Sequence, residues 1–193
     1  MYNLFKFIED KRSEYRVPFK LKLLYKPESI TNEELDVKGG LYLSNKPIQS
    51  LPNNLKVGGD LDLSNTSIQS LPNGLEVEGY LNLNKTSIQS LPNGLEVGGN
   101  LYLSNTPIQS LPNGLKVRGG LYLNDTPIQS LPNGLEVKFS LDLSRTKIQS
   151  LPNGLKVGDN LFLSNTPLAK KYTTVEQLKA KYPDLIVKGE IYL

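Results

Sequence analysis

The sequence predicts an α/β repeat solenoid: a coil carrying a parallel sheet of short strands, one Leu-x-Leu strand per 20 residues, with small helical caps at both ends. Three observations predict it. Ser-Leu-Pro-Asn recurs at 50–53, 70–73, 90–93, 110–113, 130–133 and 150–153. Leu-x-Leu recurs at 41–43, 61–63, 81–83, 101–103, 121–123, 141–143 and 161–163, so the 20-residue spacing holds without an insertion, as one supersecondary unit stacked on itself requires. When each coil is numbered from its Leu-x-Leu, positions 1, 3, 8, 11, 15 and 17 are apolar in almost every copy, as in Leu101, Leu103, Ile108, Leu111, Leu115 and Val117. Six apolar side chains cannot offset the cost of ordering a whole coil, so each coil must pack on its neighbours.

Residues 1–20 do not fit the repeat. Leu4, Phe5, Ile8 and Lys11-Arg12 predict a short amphipathic helix running into Tyr15, Val17, Pro18 and Phe19, read as a cap over the open end of the first coil, or else as a partner-binding helix. Residues 21–168 form the solenoid, with a degenerate first coil at 21–40. There Leu21 and Leu23 stand 20 positions before Leu41 and Leu43, and Leu35, Val37 and Gly39 before Leu55, Val57 and Gly59. Within it Glu28 to Leu35 reads as a short helical turn with Ser29 or Thr31 as N-cap. In the regular coils the alternation at positions 1 and 3 is strand-like, and the later spacing turns the chain around the core. Residues 169–193 are a C-terminal cap. Thr173 or Thr174 is its N-cap, Val175, Leu178 and Tyr182 have helical spacing, and Pro183-Asp184 ends the helix. Leu185, Val187 and Gly189 then re-enter the repeat, so that Ile191-Tyr192-Leu193 closes an eighth rung. Lys170, Lys171, Lys179 and Lys181 are read as the solvated face of the helix rather than a phosphate site.

Composition narrows the chemistry. With no cysteine and no histidine, the chain has no thiolate nucleophile, no Cys-ligated zinc and none of the commonest base and metal ligand, so it is predicted not to be an enzyme and to need no cofactor. Its net charge of +3 comes from 22 basic and 19 acidic residues mixed along the chain, which argues against a nucleic-acid interface. No apolar run approaches the roughly 20 residues of a membrane span. MYNLFKFIEDKR lacks a basic leader, and the predicted site of action is the cytoplasm.

The recurring polar residues have structural readings. Thr66, Thr86, Thr106, Thr126, Thr146 and Thr166, at position 6, are expected to form a hydroxyl ladder onto the backbone of an adjacent turn; no base accompanies them as nucleophiles. Pro-Asn-Gly at positions 12–14 is turn chemistry, with Gly, or Asn54 in its place, accepting φ > 0. Gln49 through Gln149 at position 9 read as an outward glutamine ladder. Position 19, usually Gly but Phe139 and Asp159 in two coils, is placed at a bend or surface edge.

LYLSNTPIQSLP, residues 101–112, resembles the conserved segment of leucine-rich repeats, L-x-L-x-x-N-x-L-x-x-L-P, and the 20-residue period with LPNGL is similar to the short bacterial class found in secreted effectors. The likeness covers about 41–168 and, faintly, 21–40. It implies a right-handed curved solenoid with the Leu-x-Leu sheet on its concave face and partner recognition there. Threonine replaces the family's asparagine at position 6, and the cysteine of the effectors' ubiquitin-ligase domain has no counterpart. The wording VGGNLYLSNT is similar to repeat proteins of bacteria and their phages.

Function is sought where side chains vary on the fixed lattice. Position 2, between two inward leucines, points outward: Tyr42, Asp62, Asn82, Tyr102, Tyr122, Asp142, Phe162 and Tyr192. Position 20 has the same sense and adds Asp60, Tyr80, Asn100 and Glu190. The candidate partner-binding residues are Tyr42, Asp62, Tyr80, Tyr102, Tyr122, Asp142, Phe162 and Tyr192. Tyrosine is enriched at interface hot spots, although aromatics also suit strands. Three functions are weighed: a protein-binding module, such as a bacterial or phage regulator occupying a host protein; a structural piece that self-assembles by end-to-end stacking; and, last, an enzyme or nucleic-acid binder.

Overall fold

Each 20-residue coil contributes two strands, and stacking the coils builds two parallel eight-stranded sheets around one core. The structure is a computed structural model and describes residues 17–193. The Leu-x-Leu sheet is made of positions 1 and 2, from Leu41–Tyr42 through Leu161–Phe162 to Ile191–Tyr192. The second sheet is made of positions 16 and 17, from Asp36–Val37 through Lys56–Val57 to Ile186–Val187, and sequence reasoning did not anticipate it. Register is one repeat per rung: Tyr102 lies opposite Tyr122, and Val97 opposite Val117. Backbone donors point in opposite directions in the two sheets. Leu103 N–H donates forward to the Tyr122 carbonyl at 2.8 Å, while Arg118 N–H donates back to the Val97 carbonyl at 3.0 Å.

Parity sets the core. The second leucine of every Leu-x-Leu from Leu43 to Leu163 is wholly buried, as are Ile68, Ile88, Ile108, Ile128 and Ile148, and positions 11, 15 and 17 close the interior. Two left-handed residues turn each coil. One is the expected Pro-Asn-Gly corner, where Gly114 has φ 76° and Asn54, in the same slot, φ 60°. The other is position 5, with φ between 55° at Asn65 and 61° at Asp125 and Asn165, and even Lys85 and Arg145 adopt it. This second corner folds position 6 back on its own coil. Thr106 Oγ1 donates to the Leu103 carbonyl at 2.7 Å, and Thr66, Thr86, Thr126, Thr146 and Thr166 repeat the bond. The expected ladder between turns is thereby corrected: each hydroxyl ties off a carbonyl three residues back. The position-9 glutamines are exposed, and among the described residues no hydrogen bond links them into a ladder.

The ends depart from the repeat. The predicted helix over Leu4, Phe5 and Ile8 lies outside the described residues. Phe19–Tyr25 is α-helical and takes up Leu21 and Leu23, which the repeat alignment had matched to a strand. Leu and Lys favour helix, and Leu23 is buried against the first coil from that conformation. The coil enters register only at Asp36–Val37, after a turn over Asn32–Leu35 in which Thr31 N–H donates to Glu34 Oε2 at 3.0 Å. At the other end the last coil inserts two helices. Pro167–Lys171, not foreseen, is capped by Thr166, whose Oγ1 accepts from Ala169 N–H at 3.0 Å. Val175–Lys181 is capped by Thr174. Leu168 and Leu178 are fully buried beneath them, and Lys170, Lys171, Lys179 and Lys181 face solvent. The eighth rung forms as expected, Ile186–Val187 on Lys156–Val157 and Ile191–Tyr192 on Leu161–Phe162.

Candidate functional site

The outer face of the Leu-x-Leu sheet follows from the same parity that fills the core. Because positions 1 and 3 point in, position 2 points out, and every candidate residue there is half-buried or exposed, Tyr42 and Tyr192 most so at 49% and 46%. Exact 20-residue register then stacks like positions. The Tyr102 and Tyr122 rings lie 4.8 Å apart and nearly parallel, at 13°, and Tyr80 meets Tyr102 edge-on at 6.0 Å. Phe162 and Tyr192 form a second stack at 4.7 Å and 5°. These six aromatics are brought into one strip, interrupted at Asp62 and Asn82 and again at Asp142.

The carboxylates on the strip also have structural work, which the sequence reading did not assign. Asp62 Oδ1 accepts the Ser64 N–H and Asp142 Oδ1 the Ser144 N–H, both at 2.9 Å, and Asn82 Oδ1 accepts the Asn84 N–H at 3.1 Å. Position 20 bridges rungs instead. Asp60 Oδ1 accepts the Tyr80 N–H at 3.0 Å, Asn100 Oδ1 the Gly120 N–H at 2.7 Å, and Asn160 Oδ1 the Glu190 N–H at 2.8 Å. Asp or Asn recurring at positions 2 and 20 was the available signal for these bonds. Asn100 Nδ2 also donates to Tyr102 Oη at 2.8 Å, and Tyr42 Oη to Asp60 Oδ2 at 3.3 Å.

Burial first, then nearby charge, raises Tyr42, Tyr80 and Tyr122 above the ordinary tyrosine value. Tyr42 and Tyr80 feel Asp60 and Asp62, and Tyr122 feels Tyr102, Asp142 and Asp159. Each phenol therefore stays protonated and available as a donor through neutral pH.

The second sheet presents a different surface. Position 16 forms ion pairs between adjacent rungs: Lys56 with Glu76 at 2.8 Å, Lys116 with Glu96 at 2.5 Å, and Lys156 with Glu136. Two grooves, of about 730 and 670 Å³, lie along this side, lined by residues such as Glu76, Glu96, Lys116, Arg118 and Lys138, and not along the aromatic strip. The position-6 threonines are at most 7% exposed and committed to carbonyls, so they offer no nucleophile. Among the described residues no group of acidic, histidine or cysteine side chains is clustered to hold a metal ion, and no helix is long and apolar enough to cross a membrane. No protein-family model matches the chain, and no curated protein matches it either.

Proposed function

We propose that this protein is a non-enzymatic binding module, akin to the leucine-rich repeat proteins it resembles, that engages a protein partner in the cytoplasm through the outer face of its Leu-x-Leu sheet. The observation that carries the reading is the Tyr80–Tyr102–Tyr122 cluster, a rigid aromatic surface held partly in solvent. Stacking holds the rings in place before any partner arrives, so little side-chain freedom remains to be lost on binding. Tyrosines at the centre of such a surface are the residue type that dominates interface energies. A bacterial or phage regulator that occupies a host protein is the role we assign. The test is the double substitution Tyr102→Ser with Tyr122→Ser, made after a partner is identified by affinity capture and mass spectrometry. Partner affinity should fall by about 2–4 kcal/mol, while the fold loses only about the 0.5–1.5 kcal/mol of the ring stack. Wild-type affinity in that variant would move the interface elsewhere. Light scattering that grows with concentration in a way the substitution leaves unchanged would favour end-to-end self-assembly instead.

A further inference from the structure

The outer face of the second sheet carries a charge pattern with a centre. Positions 16 and 18 form this face, because the valine between them turns to the core. Counted outward from Glu96 on position 16, the first pair is Glu76 and Lys116, the second Lys56 and Glu136, and the third Asp36 and Lys156; each pair is opposite in sign. Position 18 has Gly98 on the same central rung and Glu78 and Arg118 on either side of it. Beyond these, a glycine is matched with a lysine twice, Gly58 with Lys138 and Gly158 with Lys38. The charged members are all exposed, and Lys188 lies on the eighth rung, outside the set.

Position 16 is largely paired within the chain, and position 18 is not. Lys56 is held by Glu76, Lys116 by Glu96 and Lys156 by Glu136. Glu78, Arg118 and Lys138 make no ion pair or side-chain hydrogen bond among the described residues. The groove of about 730 Å³ is centred on the Glu96–Gly98 rung, with Glu76, Glu78, Glu96, Gly98, Lys116 and Arg118 in its lining. It therefore has an unpaired carboxylate on one flank and an unpaired guanidinium on the other, two rungs or about 9.6 Å apart.

We infer that this face binds a second copy of the chain, across a two-fold axis that runs along the strands through the Glu96–Gly98 rung. The rotation reverses the order of the rungs. Glu78 of each copy then meets Arg118 of the other, a carboxylate with the fork that fits it, and the three pairs on position 16 meet with opposite sign. Each position-18 lysine within the set meets a glycine. Gly98 faces its own copy at the axis, where the missing side chain leaves the groove open to the two incoming guanidinium groups. Glu96 is the one charged residue set against its like, and Lys116 already holds its carboxyl below the ordinary value, with Arg118 adding to this. The same charges exclude the other two-fold, along the stack of coils, which would set Glu76 against Glu78 and Lys116 against Arg118. A contact of this symmetry closes at two chains. It leaves both aromatic strips facing outward and does not rest on the binding face proposed above.

The test is sedimentation velocity of the whole protein over a concentration series, taken up to on the order of 1 mM because a polar face of a few rungs makes a weak contact. A monomer–dimer equilibrium is expected, and it should shift toward monomer as salt is raised from about 0.1 M to about 1 M. Arg118→Glu and Glu78→Arg should each weaken the dimer about tenfold or more, and glutamine at either position should weaken it less. Both reversals should melt like the parent, since neither side chain is bonded within the chain. An equimolar mixture of the two reversals should restore dimerisation, because every Glu–Arg contact is then rebuilt between unlike chains. A protein monomeric at every concentration, a dimer indifferent to salt, a mixture no tighter than either variant alone, or a mass that grows past two chains would each overturn the contact; the last is the mark of end-to-end stacking. Tyr102→Ser with Tyr122→Ser should leave dimerisation unchanged, so this contact and the aromatic face fail separately.

Discussion

Thr106→Val removes one hydrogen atom's worth of bonding from a buried corner and little else. Thr106 is 3% exposed, and its hydroxyl donates to the carbonyl of Leu103, a residue that is itself fully buried. Valine has nearly the same shape, so the change deletes the donor and strands the carbonyl, at about 1–3 kcal/mol. A methyl in place of the hydroxyl returns roughly 0.8 kcal/mol of apolar burial, and the expected net loss is about 0.2–2 kcal/mol. Thr106→Ser separates the two effects, because it keeps the hydroxyl and gives up only the methyl, for a loss of about 1 kcal/mol. Urea denaturation of both variants, read at constant slope, is the assay. Valine should lose stability although it is the closer match in shape. If valine proves as stable as the parent, the hydroxyl-to-carbonyl bond does not hold the corner, and the role assigned to all six threonines fails with it.

Leu103→Ala should cost about 2–5 kcal/mol by opening a cavity, and hydrogen exchange should quicken in the coils on either side as well as in 101–120, since each rung supports the next; faster exchange confined to one coil would contradict this. Gly98→Ala should destabilise by more than the 1 kcal/mol or so of a typical point substitution, because an added Cβ would lie 2.0 Å from the Glu78 carbonyl oxygen, and a parent-like melting temperature would refute that contact. The raised tyrosines make a pH prediction whose sign is fixed. The folded state holds the phenol protons of Tyr42, Tyr80 and Tyr122 more tightly than the unfolded chain does, so stability is intact below about pH 10 and is lost as pH rises beyond it. Thermal unfolding followed alongside tyrosinate absorbance checks this, and a midpoint that climbs through that range would overturn it.

The period, the Leu-x-Leu strands, the inward and outward faces and the eighth rung were all legible in the chain itself, because a strict 20-residue repeat forces equivalent residues into equivalent places. Pro-Asn-Gly announced its left-handed corner, since glycine and asparagine are the residues that tolerate one. The second sheet was not legible. A two-residue strand such as Glu96–Val97 has no periodicity of its own, and it exists only because the corner before it brings successive coils into hydrogen-bonding distance. The position-5 corner was hidden for a similar reason. Lys85 and Arg145 occupy it against their own preference, held there by the coils above and below. That corner, not the identity of threonine, decided that each hydroxyl bonds its own coil. The candidate residues were found by parity alone, but their grouping was a tertiary matter. Sequence placed Tyr102, Tyr122, Asp142 and Phe162 on one face, and only exact register turned them into two ring stacks on either side of a carboxylate. Local chemistry determines which way a side chain points; the backbone pairing of residues 20 apart determines what it stands beside.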